Sequence, residues 1–113
     1  MIYVIHAVRT KYIKVGVARN PARRLHSLQV SIPFDLVLLA VADWPQEWKT
    51  RIHHVLAGTR VRGEWFRRDE RMDSLIKHMQ DGGAPLEWVN SYSPPSRLHR
   101  VLALARAKAC FDP

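Results

Sequence analysis

Two apolar runs open the chain, "IYVIHAV" at residues 2–8 and "YIKVGVA" at 12–18, with only the polar "RTK" between them. Both runs are rich in β-branched and aromatic residues, and the triplet between them can reverse the chain, so the pair predicts a β-hairpin. A helix has to follow at once, because "NPARRLHSLQ" offers Asn20 as an N-cap and Pro21 at the first helical position. Ala22, Leu25 and Leu28 recur at helical spacing and should face the core.

The remaining elements read in the same way. "PFDLVLLAVAD" is an apolar run of strand length and predicts a central strand. Trp48, Ile52, Val55 and Leu56 mark one face of a helix that Gly58 can end. "GEWF" should be short and extended, with Trp65 and Phe66 in the core. "DERMDSLIKHMQDGG" predicts a helix with Met72, Leu75, Ile76 and Met79 inward and Gly82-Gly83 as its stop. A turn-rich "VNSYSPPS" then precedes a last amphipathic helix over 96–108, with Leu98, Val101, Leu102 and Ala105 on its apolar stripe. The order β-β-α-β-α-(β)-α-α is that of an α+β protein: a small, largely antiparallel, three-stranded sheet flanked by helices, plus a C-terminal helix. At 113 residues there is room for one modest core, divided here into a domain at 1–83 and an extension at 84–113.

Charge narrows the class of partner. Eighteen Lys and Arg stand against ten Asp and Glu, a net charge of +8. The excess is uneven: Arg9, Lys11, Lys14, Arg19, Arg23 and Arg24 all precede the first acid, Asp35. Such asymmetry favours a polyanion, nucleic acid before membrane, since no basic amphipathic helix opens the chain. Cys110 is the one cysteine, which excludes an intramolecular disulfide and fits a reducing cytoplasm. "MIYVIHAV" is too short for a secretory apolar region, and no run approaches the length of a membrane span. The last helix is the segment suited to a second copy or a partner protein.

Several familiar sites are absent: no glycine-rich phosphate loop, no CxxC pair, no HExxH and no nucleophile elbow. His53 and His54 are adjacent, so on a helix they point about 100° apart and cannot both face one ligand. What remains is a scattered polar set: Tyr3 and Lys14 on the hairpin, Arg24 on the first helix, His53 on the second, and Glu64 within "RVRGEWFRRDER". Tyr3 and Lys14 can lie on paired strands, Arg24 can reach over the sheet, and His53 adjoins the inward Ile52. A lone acid among Arg60, Arg62, Arg67 and Arg68 has two readings: structural partner of an arginine, or holder of a metal ion beside a phosphate.

The ordered combination "IYVI", "YIKVG", "NPARRLHSLQ", a helix histidine and "RVRGEWF", from Tyr3 to Phe66, resembles the compact branch of the GIY-YIG nuclease superfamily. In that branch the second tripeptide usually reads K-[IV]-G, as Lys14-Val15-Gly16 does. The resemblance implies an endonuclease that hydrolyses phosphodiester bonds of duplex or branched DNA with Mg²⁺ or Mn²⁺. It implies that Tyr3 helps to deprotonate water, that Lys14 stands at the second-strand catalytic position, and that Arg24 contacts the scissile phosphate. His53 would be an accessory acid/base or phosphate ligand, and Glu64 the metal ligand. Two positions depart from the pattern: Lys49 stands where relatives often carry Glu, one turn before the histidine, and the downstream asparagine has only Asn90 as a counterpart. The competing reading is a DNA-binding module on the same fold that does not cut.

Overall fold

The computed structural model describes residues 1–92; the expected helix over 96–108, and the oligomer or partner surface assigned to it, lie outside the described residues. The opening hairpin forms as expected, from β1 (Ile2–Ala7) and β2 (Tyr12–Val17), paired antiparallel with Tyr3 opposite Gly16 and Ile5 opposite Lys14. Helix α1 (Pro21–Gln29) follows directly. The Asn20 side chain accepts a 3.0 Å bond from the Arg23 backbone N–H, and the Asn20 carbonyl accepts from Arg24. Leu25 and Leu28 pack inward, but Ala22 is exposed.

The sheet has five strands, not the expected three. Strand β3 is Leu36–Ala42, helix α2 is Trp48–Val55, and β4 (Arg60–Arg62) and β5 (Trp65–Arg67) form a second, very short hairpin. Helices α3 (Glu70–Gln80) and α4 (Pro85–Tyr92) complete the described chain. All neighbours pair antiparallel, in the order β3-β1-β2-β5-β4. Strand β3 is therefore an edge and not the centre. Its apolar run has another cause: the register against β1 shifts between Val4 and Ile5. Leu36 and Leu38 consequently join the cluster under α1, while Ala40 and Ala42 join the larger core on the opposite face. A bulge turns one strand's residues to both faces, which removes the alternation that would mark an edge.

The main core lies on one face, where Ile2, Val4, Ile13, Val15 and Phe66 meet Ile52, Met72, Leu75, Met79 and Trp88 of the helices. Part of the segment expected to be a turn is helical: α4 runs to Tyr92, and Trp88 and Val89 are buried in this core. The other face carries Tyr3, Ile5, Ala7 and Leu36 under α1, with Trp65 only half-buried beside them rather than in the core. Strict alternation along β2 thus sends Ile13 and Val15 to the main core and Lys14 and Gly16 to the α1 face.

Loss of the α1 cap tests how this first turn is held. Asn20→Ala leaves the Arg23 N–H without its acceptor and should lower stability by about 1 kcal/mol in chemical denaturation; no loss would mean that α1 is fixed by packing alone.

Candidate active site

Cross-strand pairing brings the first two site residues together. Tyr3 is fully buried, and its hydroxyl makes no hydrogen bond of good geometry, although the Arg24 guanidinium approaches closely enough to offer a weak one. Gly16 faces it across the ladder, and a side chain there would not fit: a Cβ would run into the Tyr3 hydroxyl and stand 3.0 Å from Glu64 Oε1. Phenol, glycine and carboxylate therefore share one small space. A buried hydroxyl without a well-formed bond carries a desolvation cost, a state that the Trp88 indole nitrogen shares in the main core.

Glu64 reaches this point through the β4–β5 turn. Gly63 adopts a positive φ of 54°, open to glycine and rarely to other residues. It reverses the chain so that the Glu64 carbonyl accepts a 3.0 Å bond from the Val15 N–H. Both carboxylate oxygens are held by lysines, not by the neighbouring arginines: Lys14 Nζ lies 3.0 Å from Oε1 and Lys49 Nζ 2.8 Å from Oε2. Lys14 is also steered by Trp65, whose ring centre is 5.8 Å from its ammonium. Burial would raise the Glu64 pKa, but the bonds from Lys49 and Lys14 outweigh it, and the carboxyl titrates below its ordinary value.

His53 arrives from α2. Its Nε2 lies 2.8 Å from the Val15 carbonyl, so the nitrogen carries the proton and donates, and the ring packs edge-on to Phe66 at 5.0 Å. Burial lowers its pKa, which keeps the imidazole neutral at pH 7 with Nδ1 as its free acceptor. His54 is exposed on the next face of the helix, as their 100° separation requires. Arg24 is exposed on α1 but near enough to act on Tyr3. Burial first, and then the Glu64 carboxylate, push the Tyr3 pKa up, while the Arg24 guanidinium pulls it down.

The structure thus gathers Tyr3, Lys14 and Glu64 directly, with Arg24 and His53 within electrostatic reach. It adds Lys49, read from the sequence only as a departure. Lys49 and His53 are four residues apart, hence on one face of α2, and that spacing is the signal that could have found it. Beside Glu64 opens a polar cavity of about 480 Å³, lined by Lys49, Thr50, His53, His54 and Arg60. A second cavity of about 440 Å³, at Ala7, Tyr12, Phe34 and Trp65, is mostly apolar and has no carboxylate, lysine or histidine in its lining. Of the five expected site residues, His53 and Glu64 line the polar cavity and Tyr3, Lys14 and Arg24 do not; Arg24 lines a separate cavity of about 340 Å³ with Arg19, Asn20 and Arg23. Among the described residues no three His, Cys, Asp or Glu side chains cluster as a metal site, and no helix is long and apolar enough to cross a membrane.

The family model of the T5orf172 domain matches residues 1–81, which takes in every one of these side chains. The chain belongs to the T5orf172 domain family. This corrects the resemblance drawn from the short motifs, since T5orf172 is a different family from GIY-YIG. The five motif fragments are individually unspecific, and their order alone did not separate the two. No curated protein and no solved structure matches the chain significantly. In this T5orf172 domain the roles of Tyr3, Lys14, Arg24, His53 and Glu64 accordingly have to be argued from geometry.

Two substitutions separate a functional hydroxyl from a structural one. Tyr3→Phe removes the poorly bonded group and should leave stability unchanged or raise it by up to about 1–3 kcal/mol. Gly16→Ala overfills the shared space and should cost about 1–3 kcal/mol. Both are read from urea melts; a destabilised Tyr3→Phe protein would show that the hydroxyl is satisfied after all.

Proposed function

We propose that the protein is a divalent-cation-dependent DNA endonuclease that hydrolyses phosphodiester bonds, acting on duplex or branched DNA in a reducing cytoplasm. The observation that carries this reading is the Tyr3 hydroxyl, buried without a well-formed hydrogen bond beside the one carboxylate of a basic site. A surface that only binds DNA gains nothing from burying a poorly bonded phenol, and a carboxylate facing phosphates weakens its grip. Hydrolysis has a use for both.

A phosphodiester resists attack because its charge repels nucleophiles, so catalysis requires positive charge where the transition state gathers negative charge. Arg24 and Lys14 offer that charge on the α1 face of the sheet, and the planar fork of Arg24 can hold two phosphate oxygens at once. Water attacks phosphorus and the bond to the leaving sugar oxygen breaks. Tyr3, a protonated phenol in the free protein, orients that water by hydrogen bonding. It could accept the water's proton only as phenolate, after giving its own proton to solvent, and burial and Glu64 oppose that ionisation while Arg24 favours it. His53, whose Nε2 is committed to the Val15 carbonyl, keeps Nδ1 as its remaining acceptor. By itself the donor set does not fit Mg²⁺ or Mn²⁺, since Glu64 is its one carboxylate and both of its oxygens are held by lysines. A cation would have to enter together with phosphate, with Glu64 offering one hard oxygen and the phosphate the others, because the lysines leave no net negative charge for a dication alone. When bound, the cation supplies Lewis-acid charge and a more acidic water.

One observation favours the second reading, a DNA-binding module that does not cut: both Glu64 oxygens are already paired, as in a structural ion pair. Incubation with supercoiled plasmid in Mg²⁺, Mn²⁺ or EDTA decides between the two. We expect metal-dependent nicking that Glu64→Gln lowers by at least about 10²-fold, while DNA affinity holds or tightens. Duplex affinity should fall by about 10³-fold or more between 50 and 200 mM salt if six or more phosphates are contacted. Salt-sensitive binding with no nicking in any metal would leave the module; binding indifferent to salt would end both readings.

A further inference from the structure

We infer that the cleft between Tyr12, Phe34 and Trp65 takes up an unpaired base of DNA, so that the protein prefers DNA with an end, gap or branch over continuous duplex. The inference rests on the DNA-binding part of the reading above and deepens it by naming the DNA structure; it does not require cleavage.

The cleft holds about 440 Å³ and is walled by rings from three parts of the chain: Tyr12 starts β2, Trp65 starts β5, and Phe34 lies between α1 and β3. Tyr12 is 43% exposed, Phe34 50% and Val61, in the same lining, 53%. Single exposed apolar residues are ordinary, but rings gathered on one concave surface mark a binding site. Alternation puts Tyr12 and Lys14 on one face of β2, and Lys14 stands opposite Trp65 across the ladder. The cleft therefore lies on the α1 face of the sheet, the face that carries Tyr3 and Gly16.

The charges around the rings choose the occupant. Arg62 belongs to the lining, which has no acid; Asp35, next to Phe34 in the chain, lies outside it and faces Arg9 at 3.9 Å. Lys11 precedes Tyr12, and Arg67 stands opposite it on β5. Lys14 holds its ammonium 5.8 Å from the centre of the Trp65 ring and 3.0 Å from Glu64 Oε1, so one residue forms the boundary between the cleft and the candidate active site. Flat rings rimmed by cations match a nucleotide, which joins a π-face to a phosphate, and this is how single strands are held without regard to sequence. An apolar peptide would cover the rings but leave the cations without counter-charge. A base inside intact duplex must first be unstacked, at a cost in free energy, whereas one at an end, gap or branch is already free. Once seated, the base brings its own phosphate toward Lys14, and the strand toward Glu64 and Tyr3.

Affinity of the full chain for three DNA ligands at one salt concentration, without metal, tests this. The ligands are a blunt duplex, the same duplex with a short thymidine flap, and the same duplex with a flap of equal length whose nucleotides are abasic. The two flaps carry the same phosphates, so their difference reads the base alone. The thymidine flap should bind at least about tenfold tighter than the abasic one, within the range for stacking one base on an aromatic side chain. Phe34→Ala and Tyr12→Ala should each remove most of that gain and leave abasic-flap affinity unchanged, and since both side chains are exposed their urea melts should hardly move. Phe34→Leu, which keeps apolar bulk without a π-face, should fall with Phe34→Ala. Equal affinity for the two flaps overturns the proposal and leaves the cleft to an apolar peptide; a Phe34→Leu protein with the full gain overturns it as well. The wider reading fails differently. If none of the three ligands binds, DNA is not the partner, whereas salt-sensitive duplex binding without a base preference removes only the role of the cleft.

Discussion

Val15 turns both of its backbone polar groups toward the place where strand β5 gives out. Its N–H is taken by the Glu64 carbonyl, and its carbonyl takes the proton of His53 Nε2. The regular ladder between β2 and β5 ends one residue earlier, at Lys14 opposite Trp65. Past that point a turn and a helix side chain stand in for the missing strand. Buried backbone groups demand partners, and here satisfying them fixes two site residues at once. Glu64 is seated by its own main chain, and His53 is locked into one tautomer. The Val15 side chain is meanwhile fully buried in the main core, so the anchor cannot drift.

From that anchor the electrostatics follow. One carboxylate lies among cations from three elements: Lys14 from β2, Lys49 from α2, and the influence of Arg24 from α1 felt through Tyr3. Its pKa falls although burial opposes this, while the neighbouring phenol and imidazole both become harder to ionise. The acid loses its proton easily, and the other two stay neutral. Acid conditions work against both His53 and Glu64: the fold loses stability as pH drops below the ordinary imidazole pKa toward the depressed one, and again as it drops through the Glu64 carboxyl.

Much of this was legible in the residues, and the failures have particular causes. The first hairpin and α1 could be read because apolar runs, a turn triplet and an Asn-Pro start agree with one another. Strand β4 could not: Arg60, Val61 and Arg62 are all exposed, show no alternation, and are extended because Gly63 turns them back on β5. Strand β3 was misplaced at the centre because a bulge hid its edge character. The candidate site was legible as a set of types, Tyr3, Lys14, Arg24, His53 and Glu64, since β2 alternation and the α2 face bring them together. Lys49 escaped because a lysine on a helix is ordinarily solvated, and its partner lies 15 residues away across an unforeseen turn.

The β4 edge carries a consequence for how copies of this protein meet. An open strand edge is a template for another chain, and proteins blunt it with short strands and charge. Here the edge is three residues long and carries Arg60 and Arg62. Two such edges repel one another in dilute buffer, which guards against sheet-to-sheet aggregation. A polyanion lying across both would cancel that repulsion. On the DNA that the proposed function calls for, the same arginines that keep free molecules apart would let neighbours sit side by side, and the spacing of copies along the polymer would then depend on the outermost described strand.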